Sequence, residues 1–193
     1  MTSIRLLLCL GMLASGCAAT TTPGAPTAAQ PATHEADSAE GAAKRYSDLL
    51  KAGHGLEAVE TYWDLDAMFD AIFGDDMKTA SDAERIQMRT LMLGFLQRIY
   101  ADPKVAETMS HAKFSGFVAR STDADHAVVS FTVEFRATTV ANALSMARRN
   151  GRWHIVDTAT NGSSLIGLMQ KEYAAKRGKI SPPLYIKAVT LGG

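Results

Sequence analysis

The sequence predicts an α+β domain in which N-terminal helices pack on one face of a curved antiparallel sheet. Apolar residues recur at helical spacing between residues 42 and 100, whereas they alternate with polar residues between 113 and 157. The dipeptide Asn150-Gly151 separates two of the alternating segments, as in a β-hairpin. Helices that precede a meander of long strands indicate this fold class.

Residues 1–16 have the features of a bacterial lipoprotein signal peptide. Arg5 precedes an apolar run that is too short to span a bilayer, and small residues follow up to Cys17. The segment ASGC at 14–17 resembles a lipobox, in which the cysteine is lipidated, although the favoured leucine lies one position early, at Leu13. We expect Cys17 to anchor the protein on the periplasmic side of the envelope, and Ala18 favours the outer membrane. Ordinary cleavage with an incidental Cys17 is the alternative.

Residues 17–41 are predicted to be a flexible tether, because small, polar and proline residues cannot bury enough surface to offset their ordering entropy. As a flexible coil it would reach on the order of 25–30 Å. Residues 42–193 remain for one domain with its own core. Cys9 is lost with the signal peptide, so Cys17 has no partner for an internal disulfide.

The charges exclude nucleic acid as a partner. The whole chain has 20 Lys and Arg against 20 Asp and Glu, and loss of Arg5 leaves 19 against 20. No block of like charge forms a nucleic-acid footprint. Arg148, Arg149 and Arg152 flank the Asn150-Gly151 turn and are predicted to be solvated hairpin charges.

Helix boundaries are predicted from capping residues. Asp64 is expected to cap a helix that ends at Gly74. Ser81 and Glu84 predict a capping box for a longer helix, which Asp102-Pro103 would stop. Its broad apolar stripe indicates a deep interior.

Four strands are predicted after the helices, and the third, TVANALSMAR, leads into the Asn150-Gly151 turn. The segment KFSGFVARS is predicted to contain a bulge or a close backbone approach at Gly116, and the next strand turns Val129, Phe131, Val133 and Phe135 to one face. In the last strand, simple alternation places Trp153, Ile155 and Asp157 on one face and His154 on the other.

No catalytic residue, metal site or cofactor is predicted. His154 and Asp157 would form an acid–base pair only if a bulge intervened. His111 and His126 lack a third metal ligand at a recognisable spacing. Ser164 lies at a helix start, where capping explains it. The phosphate-loop, dinucleotide and nucleophile-elbow motifs are absent from the sequence.

Two blocks of the sequence resemble the MlaC family, also called the toluene-tolerance family, of periplasmic carriers in outer-membrane lipid asymmetry. The first block places five family positions in register without a gap, at Trp153, Asp157, Gly162, Ser164 and Leu165. The second runs from 64 to 100 and keeps Asp64, Gly74, Lys78, Ala80, Ser81, Arg85, Leu96 and Tyr100. The departures are Met77 for Trp, Met88 and Met92 for Phe, Gln170 for Arg and Tyr173 for Phe.

This resemblance implies a cone-shaped, nuclear-transport-factor-like fold whose hollow holds phospholipid acyl chains, with the headgroup left outside the hollow. The residues expected to line the hollow are Met68, Phe69, Phe73, Met88, Met92, Phe95, Phe131, Phe135, Leu144, Leu165 and Met169. Trp153 is expected to seal the sheet against the helices, and Asp157 to fix the turn before the Leu165 helix. The implied function is non-enzymatic phospholipid binding and transfer, with Mla-type membrane complexes as partners.

Two other functions remain open from the sequence. The first is a non-catalytic envelope lipoprotein that binds a protein partner, with the hollow collapsed into ordinary core. The second is an isomerase- or dehydratase-like enzyme on the same cone-shaped fold, with Asp157 or His154 as its base.

Overall fold

The computed structural model describes residues 38–191, which form seven α-helices and a five-stranded antiparallel sheet. The helices are α1 (Ala39–Lys51), α2 (Gly55–Tyr62), α3 (Leu65–Phe73), α4 (Asp82–Tyr100), α5 (Pro103–His111), α6 (Leu165–Ala174) and α7 (Pro182–Leu191), with a 3-10 turn at Gly74–Thr79. The strands, in spatial order, are β1 (Lys113–Ser121), β2 (His126–Phe135), β3 (Thr138–Arg149), β4 (Arg152–Thr160) and β5 (Ser163–Ser164). The predicted α+β class is confirmed.

The predicted signal peptide, Cys17 and most of the predicted tether lie outside the described residues. Within residues 38–191, none of the helices combines the length and the apolar character needed to cross a bilayer.

Helix α1 begins at Ala39, so the predicted end of the tether at residue 41 is three residues too late. The Ser38 side chain accepts a hydrogen bond from the Gly41 backbone N–H at 3.0 Å and caps the helix. Ala42 and Ala43 in its first turns are buried. Small side chains of this kind carry little helical periodicity, which is why the pattern of large apolar residues misses the start.

The predicted caps of α3 and α4 are confirmed. Asp64 Oδ1 accepts a 2.9 Å hydrogen bond from a backbone N–H in the first turn of α3, and Gly74 ends that helix with φ +56°. Ser81 and Glu84 form the capping box at the start of α4. These caps depend on neighbouring residues alone, so the sequence is sufficient to predict them.

Two helices lie where the sequence analysis predicts none. Asp102-Pro103 ends α4 as expected, but Asp102 also caps α5, with Pro103 in its first turn. Helix α7 begins at Pro182 and packs against α4, where Arg98 Nη2 donates a 2.7 Å hydrogen bond to the Thr190 carbonyl. A proline at the first helical position is a start signal that both segments carry.

Substitution by alanine is expected to have opposite effects on stability at Gly55 and at Gly94. A Cβ on Gly55 would lie 2.8 Å from Tyr100 Cβ, which cannot move without the α4 backbone, whereas the nearest atom to a Cβ on Gly94 is Arg98 Nη1 at 3.8 Å. We expect Gly55→Ala to lower the free energy of unfolding by about 2–3 kcal/mol. Gly94→Ala should raise it by up to about 1 kcal/mol, because alanine favours a helix interior. Urea denaturation measures both, and equal effects would contradict the close approach of α2 to α4.

The sheet follows the predicted meander. The register between β1 and β2 shifts at Gly116, which has φ +68°, so the predicted bulge is confirmed. Asn150 and Gly151 have φ +51° and +79° and form the β3–β4 hairpin turn. The predicted inward residues of β2 are all buried: Val129, Phe131, Val133 and Phe135.

The buried apolar residues form two clusters. The helical cluster includes Met68, Phe69, Phe73, Met88, Met92, Phe95, Leu165, Met169, Tyr185 and their buried neighbours from α2, α3, the 3-10 turn, α4, α6 and α7. The sheet cluster lies between α1 and the sheet and includes Tyr46, Leu50, Val129, Phe131, Val133, Leu144, Met146 and Ile155. Trp63 and Tyr100 contact both clusters and lie between them.

Candidate functional site

An apolar void lies inside the helical cluster. Its wall consists of Trp63, Leu65, Met68, Met92, Phe95, Leu96, Leu165, Met169 and Val189. No polar atom of residues 38–191 faces the void, and its volume of about 10 Å³ is room for roughly one water molecule. The wall includes five of the residues that were predicted to line a hollow: Met68, Met92, Phe95, Leu165 and Met169.

The other predicted residues of the helical half lie beside the void. Phe69 and Met88 are fully buried in the helical cluster. Phe73 packs edge-to-face against Tyr173 and Tyr185, with ring centroids 4.8 and 5.7 Å apart. These three side chains therefore support the wall without lining it.

The predicted residues of the sheet do not reach the void. Phe131 and Leu144 belong to the sheet cluster. Phe135, at the end of β2, is buried, and the Arg136 guanidinium lies 5.0 Å above its ring. Within residues 38–191, the sheet residues therefore do not line this void together with the helical residues, and the two clusters are packed separately.

Trp63, in the link between α2 and α3, lies between the two clusters. The segment is attached to β4 by a parallel bridge between Trp63 and Ile155, and the Asp64 backbone N–H donates a 2.9 Å hydrogen bond to the Ile155 carbonyl. Trp63 Nε1 also donates to the Tyr46 hydroxyl of α1 at 3.3 Å. These contacts fix the indole between the two clusters.

Asp157 joins β4 to the start of α6. Its Oδ1 accepts hydrogen bonds from the backbone N–H groups of Thr158 at 2.8 Å and Ile166 at 3.0 Å. Its Oδ2 accepts one from the Ser164 hydroxyl at 2.6 Å. The same hydroxyl caps α6 by accepting from Gly167 N at 2.9 Å. The carboxylate thus positions the helix that supplies Leu165 and Met169 to the void.

The strand face predicted for Asp157 is wrong. Ile155 lies opposite Met146 on β3 whereas Asp157 lies opposite Ser145, so Val156 is an extra residue in β4. Adjacent residues of β3 point to opposite faces, which puts Asp157 on the face away from Ile155. The bulge is the physical reason that simple alternation fails.

The bulge brings His154 and Asp157 to the same face, because His154 lies opposite Ala147. The Asp157 carboxylate is nevertheless occupied by the three hydrogen bonds that hold α6. His111 and His126 are exposed and make local hydrogen bonds, to the Glu107 carbonyl and to Asp123. Within residues 38–191, no three His, Cys, Asp or Glu side chains lie close enough to hold a metal ion.

The remaining motif residues have structural positions. Gly162 has φ +80° in the turn between β4 and β5, a left-handed conformation that glycine adopts without steric cost. Trp153 is partly buried and packs against the sheet cluster. The sequence predicts that it lies between the sheet and the helices. Tyr100 lies between the two clusters.

A polar network that the sequence analysis missed ties the 3-10 turn to α6. Asp76 Oδ2 accepts hydrogen bonds from the Tyr173 hydroxyl at 2.9 Å and from Arg177 Nε at 3.0 Å, and Oδ1 accepts from Arg177 Nη2 at 2.9 Å. Arg177 and then Tyr173 lower the pKa of Asp76. Burial, followed by the hydrogen bond to Asp76, raises the pKa of Tyr173 to about 12. The partners are distant in sequence, so no local pattern indicates them.

This network predicts losses of stability at both extremes of pH. The lowered pKa of Asp76 stabilises the fold above its unfolded pKa near 3.8, and this stabilisation is lost as the pH falls below that value. The raised pKa of Tyr173 stabilises the fold up to about pH 10, and this contribution is lost as the pH rises towards 12. Asp76→Asn should flatten the acidic limb of stability against pH, and Tyr173→Phe the alkaline limb. Urea denaturation measures both limbs; an acidic limb flattened equally by Asp75→Asn, an exposed neighbour, would contradict the assignment.

Comparison with known proteins gives a family and a fold. The family model described as MlaC protein matches residues 41–180. No match is found among curated protein sequences. A similar solved structure is the phospholipid-binding protein from Ralstonia solanacearum in complex with a phospholipid, which is 18% identical, covers 77% of this chain and 93% of its own, and has a TM-score of 0.59. Helix α7 lies beyond the residues that the family model matches.

Proposed function

This chain belongs to the MlaC family, and on that basis we propose that it binds phospholipid and transfers it, without catalysis, within the bacterial cell envelope. The observation that carries the proposal is the wholly apolar void between α3, α4, α6 and α7, which has the chemistry of an acyl-chain site. The similar structure from Ralstonia solanacearum is that of a phospholipid-binding protein with a phospholipid bound. The shared fold supports the same role here.

The void must open before it can enclose an acyl chain, since it has room for only about one water molecule. Three of its helices contribute a methionine: Met68, Met92 and Met169. Methionine is unbranched and adapts its shape to the group that it contacts. Each methylene that moves from water into such a site contributes about 0.8 kcal/mol, which offsets the cost of separating the helices.

We also propose that a lipid on Cys17 holds the domain on the periplasmic side of the envelope, in the outer membrane. The support is the sequence of residues 1–17, with its short apolar run and its lipobox-like ending. A tethered domain exchanges lipid only within reach of its linker. Membrane complexes of the Mla type would therefore have to come to the anchored domain, and it would not diffuse between membranes as a free shuttle.

The closed packing of the helical cluster favours a second candidate function, that of an envelope lipoprotein that binds a protein partner. In that case the void stays shut, and Met92, Phe95 and Met169 serve only as core. The two functions differ in whether the interior of the folded domain ever contains lipid.

Mass spectrometry under denaturing conditions distinguishes the two functions. The sample is the full chain carrying Cys17→Ser, which removes the acyl anchor and leaves only lipid bound by the domain. A carrier should co-purify with phospholipid in stoichiometric amount or take it up from vesicles. Folded protein that contains no phospholipid after both steps would overturn the carrier and favour the interaction module.

A matched pair of substitutions on α7 tests whether the void is the acyl-chain site. Val189 lies in the wall of the void, whereas Leu184 is 56% exposed on the same helix. We expect Val189→Trp to fill the space and lower the amount of bound phospholipid, while Leu184→Trp leaves it unchanged. Thermal unfolding checks that both variants fold. Equal lipid content in the two variants would place the acyl chains elsewhere.

A further inference from the structure

A cleft lined by both charged and apolar side chains borders the void. Its volume is about 310 Å³, and it shares two residues with the void, Trp63 and Leu65. Helix α4 contributes to both spaces: Arg89 and Leu93 line the cleft, and Met92 lines the void. A molecule with an apolar end and a polar end could therefore occupy both spaces once the Trp63–Leu65 wall moves.

The cleft carries charges of both signs. Its charged side chains are three carboxylates and two guanidinium groups, from Glu60, Asp64, Asp66, Arg89 and Arg149. Apart from His154, these side chains sum to one negative charge. An anionic ligand is disfavoured by that sum, whereas a ligand with one phosphate and one ammonium group finds a partner for each charge.

The two arginines have donors to offer a phosphate. A guanidinium has five N–H donors. Arg149 Nε lies 3.7 Å from Asp64 Oδ2, and its side chain is 60% exposed. Arg89 Nη2 pairs with Asp66 Oδ2, and both side chains are partly exposed. Ion pairs this exposed contribute little to stability, so exchange of a carboxylate for a phosphate costs little.

The acidic residues have acceptors to offer an ammonium group. Asp66 Oδ1 is buried and has no hydrogen-bond partner within residues 38–191. Glu60 lies on the exposed side of α2, at the rim of the cleft. An unpaired buried carboxylate oxygen is costly, and an incoming N–H group would satisfy it.

We propose that this cleft binds the headgroup of a zwitterionic phospholipid, with the phosphate between Arg89 and Arg149 and the amine beside Glu60 and Asp66. The proposal rests on the proposed function, because the acyl chains must occupy the void for the headgroup to lie in the cleft. The cleft would select the lipid by its headgroup, whereas the apolar void that holds the acyl chains offers no polar contacts.

Competition between two lipids tests the headgroup site. The full chain carrying Cys17→Ser is incubated with vesicles of equal parts phosphatidylethanolamine and phosphatidylglycerol with identical acyl chains, and bound lipid is identified by mass spectrometry. We expect bound phosphatidylethanolamine to exceed phosphatidylglycerol about three-fold, the size expected of a partly exposed ion pair. Glu60→Gln should reduce this preference, whereas Glu57→Gln, on the same helix outside the cleft, should preserve it.

Arg149→Gln should lower the loading of both lipids about three-fold, and Arg120→Gln on β1 is its control. Equal loading of both lipids by the unsubstituted chain, unaffected by Glu60→Gln and Arg149→Gln, would overturn the headgroup site and leave phospholipid binding intact. Absence of any bound lipid would overturn both proposals. Glycerophosphoethanolamine, the headgroup without acyl chains, should not compete with vesicle lipid; effective competition would overturn the dependence on the void.

Discussion

Replacement of Asp157 by alanine is expected to lower the free energy of unfolding by about 3 kcal/mol. The carboxylate accepts three hydrogen bonds, from the Thr158 and Ile166 backbones and from the Ser164 hydroxyl. Hydrogen bonds to charged groups contribute about 1.5–3 kcal/mol each, and their losses overlap because all three hold one segment. Since α6 supplies Leu165 and Met169 to the void, the variant should also bind less phospholipid. Urea denaturation and lipid analysis measure the two effects.

The isosteric variant Asp157→Asn separates the hydrogen bonds from the charge. Its amide oxygen still accepts from a backbone N–H, so we expect a loss of about 1 kcal/mol. Asp48→Ala, at an exposed position of α1, should change stability by less than about 0.5 kcal/mol. If Asp157→Ala were as stable as Asp48→Ala, the carboxylate would not be what holds α6.

The elements predicted from the sequence are those that depend on neighbouring residues. A cap such as Asp64 or Ser81 satisfies backbone N–H groups within its own first turn, and Asn150-Gly151 adopts its turn within two residues. The alternation of β2 follows from burial of one sheet face. In each case one short stretch of chain contains both the cause and its effect, so the pattern is sufficient.

The face of Asp157 was not predictable in this way. The bulge at Val156 turns the carboxylate towards donors on Ser164 and Ile166, which belong to a different element. The bulge cannot be recognised from the alternating pattern, because Trp153 and Ile155, which precede the extra residue, still alternate as in a regular strand. Tertiary hydrogen bonding therefore overrides the period-two rule at this position.

The division of the interior into two clusters also depends on contacts between residues that are distant in sequence. Hydrophobicity alone assigns Met92 and Phe131 to one apolar interior, since both are large and buried. Trp63 separates them because the Asp64 backbone bonds to Ile155 and the indole donates to Tyr46. These partners are far apart in sequence, and no spacing rule connects them. The candidate site consequently lies between helices, and the sheet does not contribute to its wall.

Replacement of Phe95 by alanine is expected to destabilise the protein by about 3–5 kcal/mol, the range for a large aromatic residue in a core. Phe95 is 3% exposed and lies in the wall of the void. Loss of its ring adds to a space that already exists, so the helices have to move further to close it. The urea denaturation midpoint at constant m-value measures the loss.

Phe131→Ala is the matched control, because the same ring is removed from the sheet cluster. Phe131 stacks against Phe117 and Phe114 at centroid distances of 5.0 and 6.2 Å, and both of these rings are only partly buried. These two rings can move into the space of the deleted ring. The decrease in the free energy of unfolding should therefore be at or below the lower end of the same range, about 3 kcal/mol. Benzene should raise the melting temperature of Phe95→Ala more than that of Phe131→Ala, since an enclosed apolar cavity stays dry and takes up apolar molecules. Equal shifts would mean that the helical cluster collapses around the deleted ring, and an interior that collapses so readily could not keep an acyl chain from water.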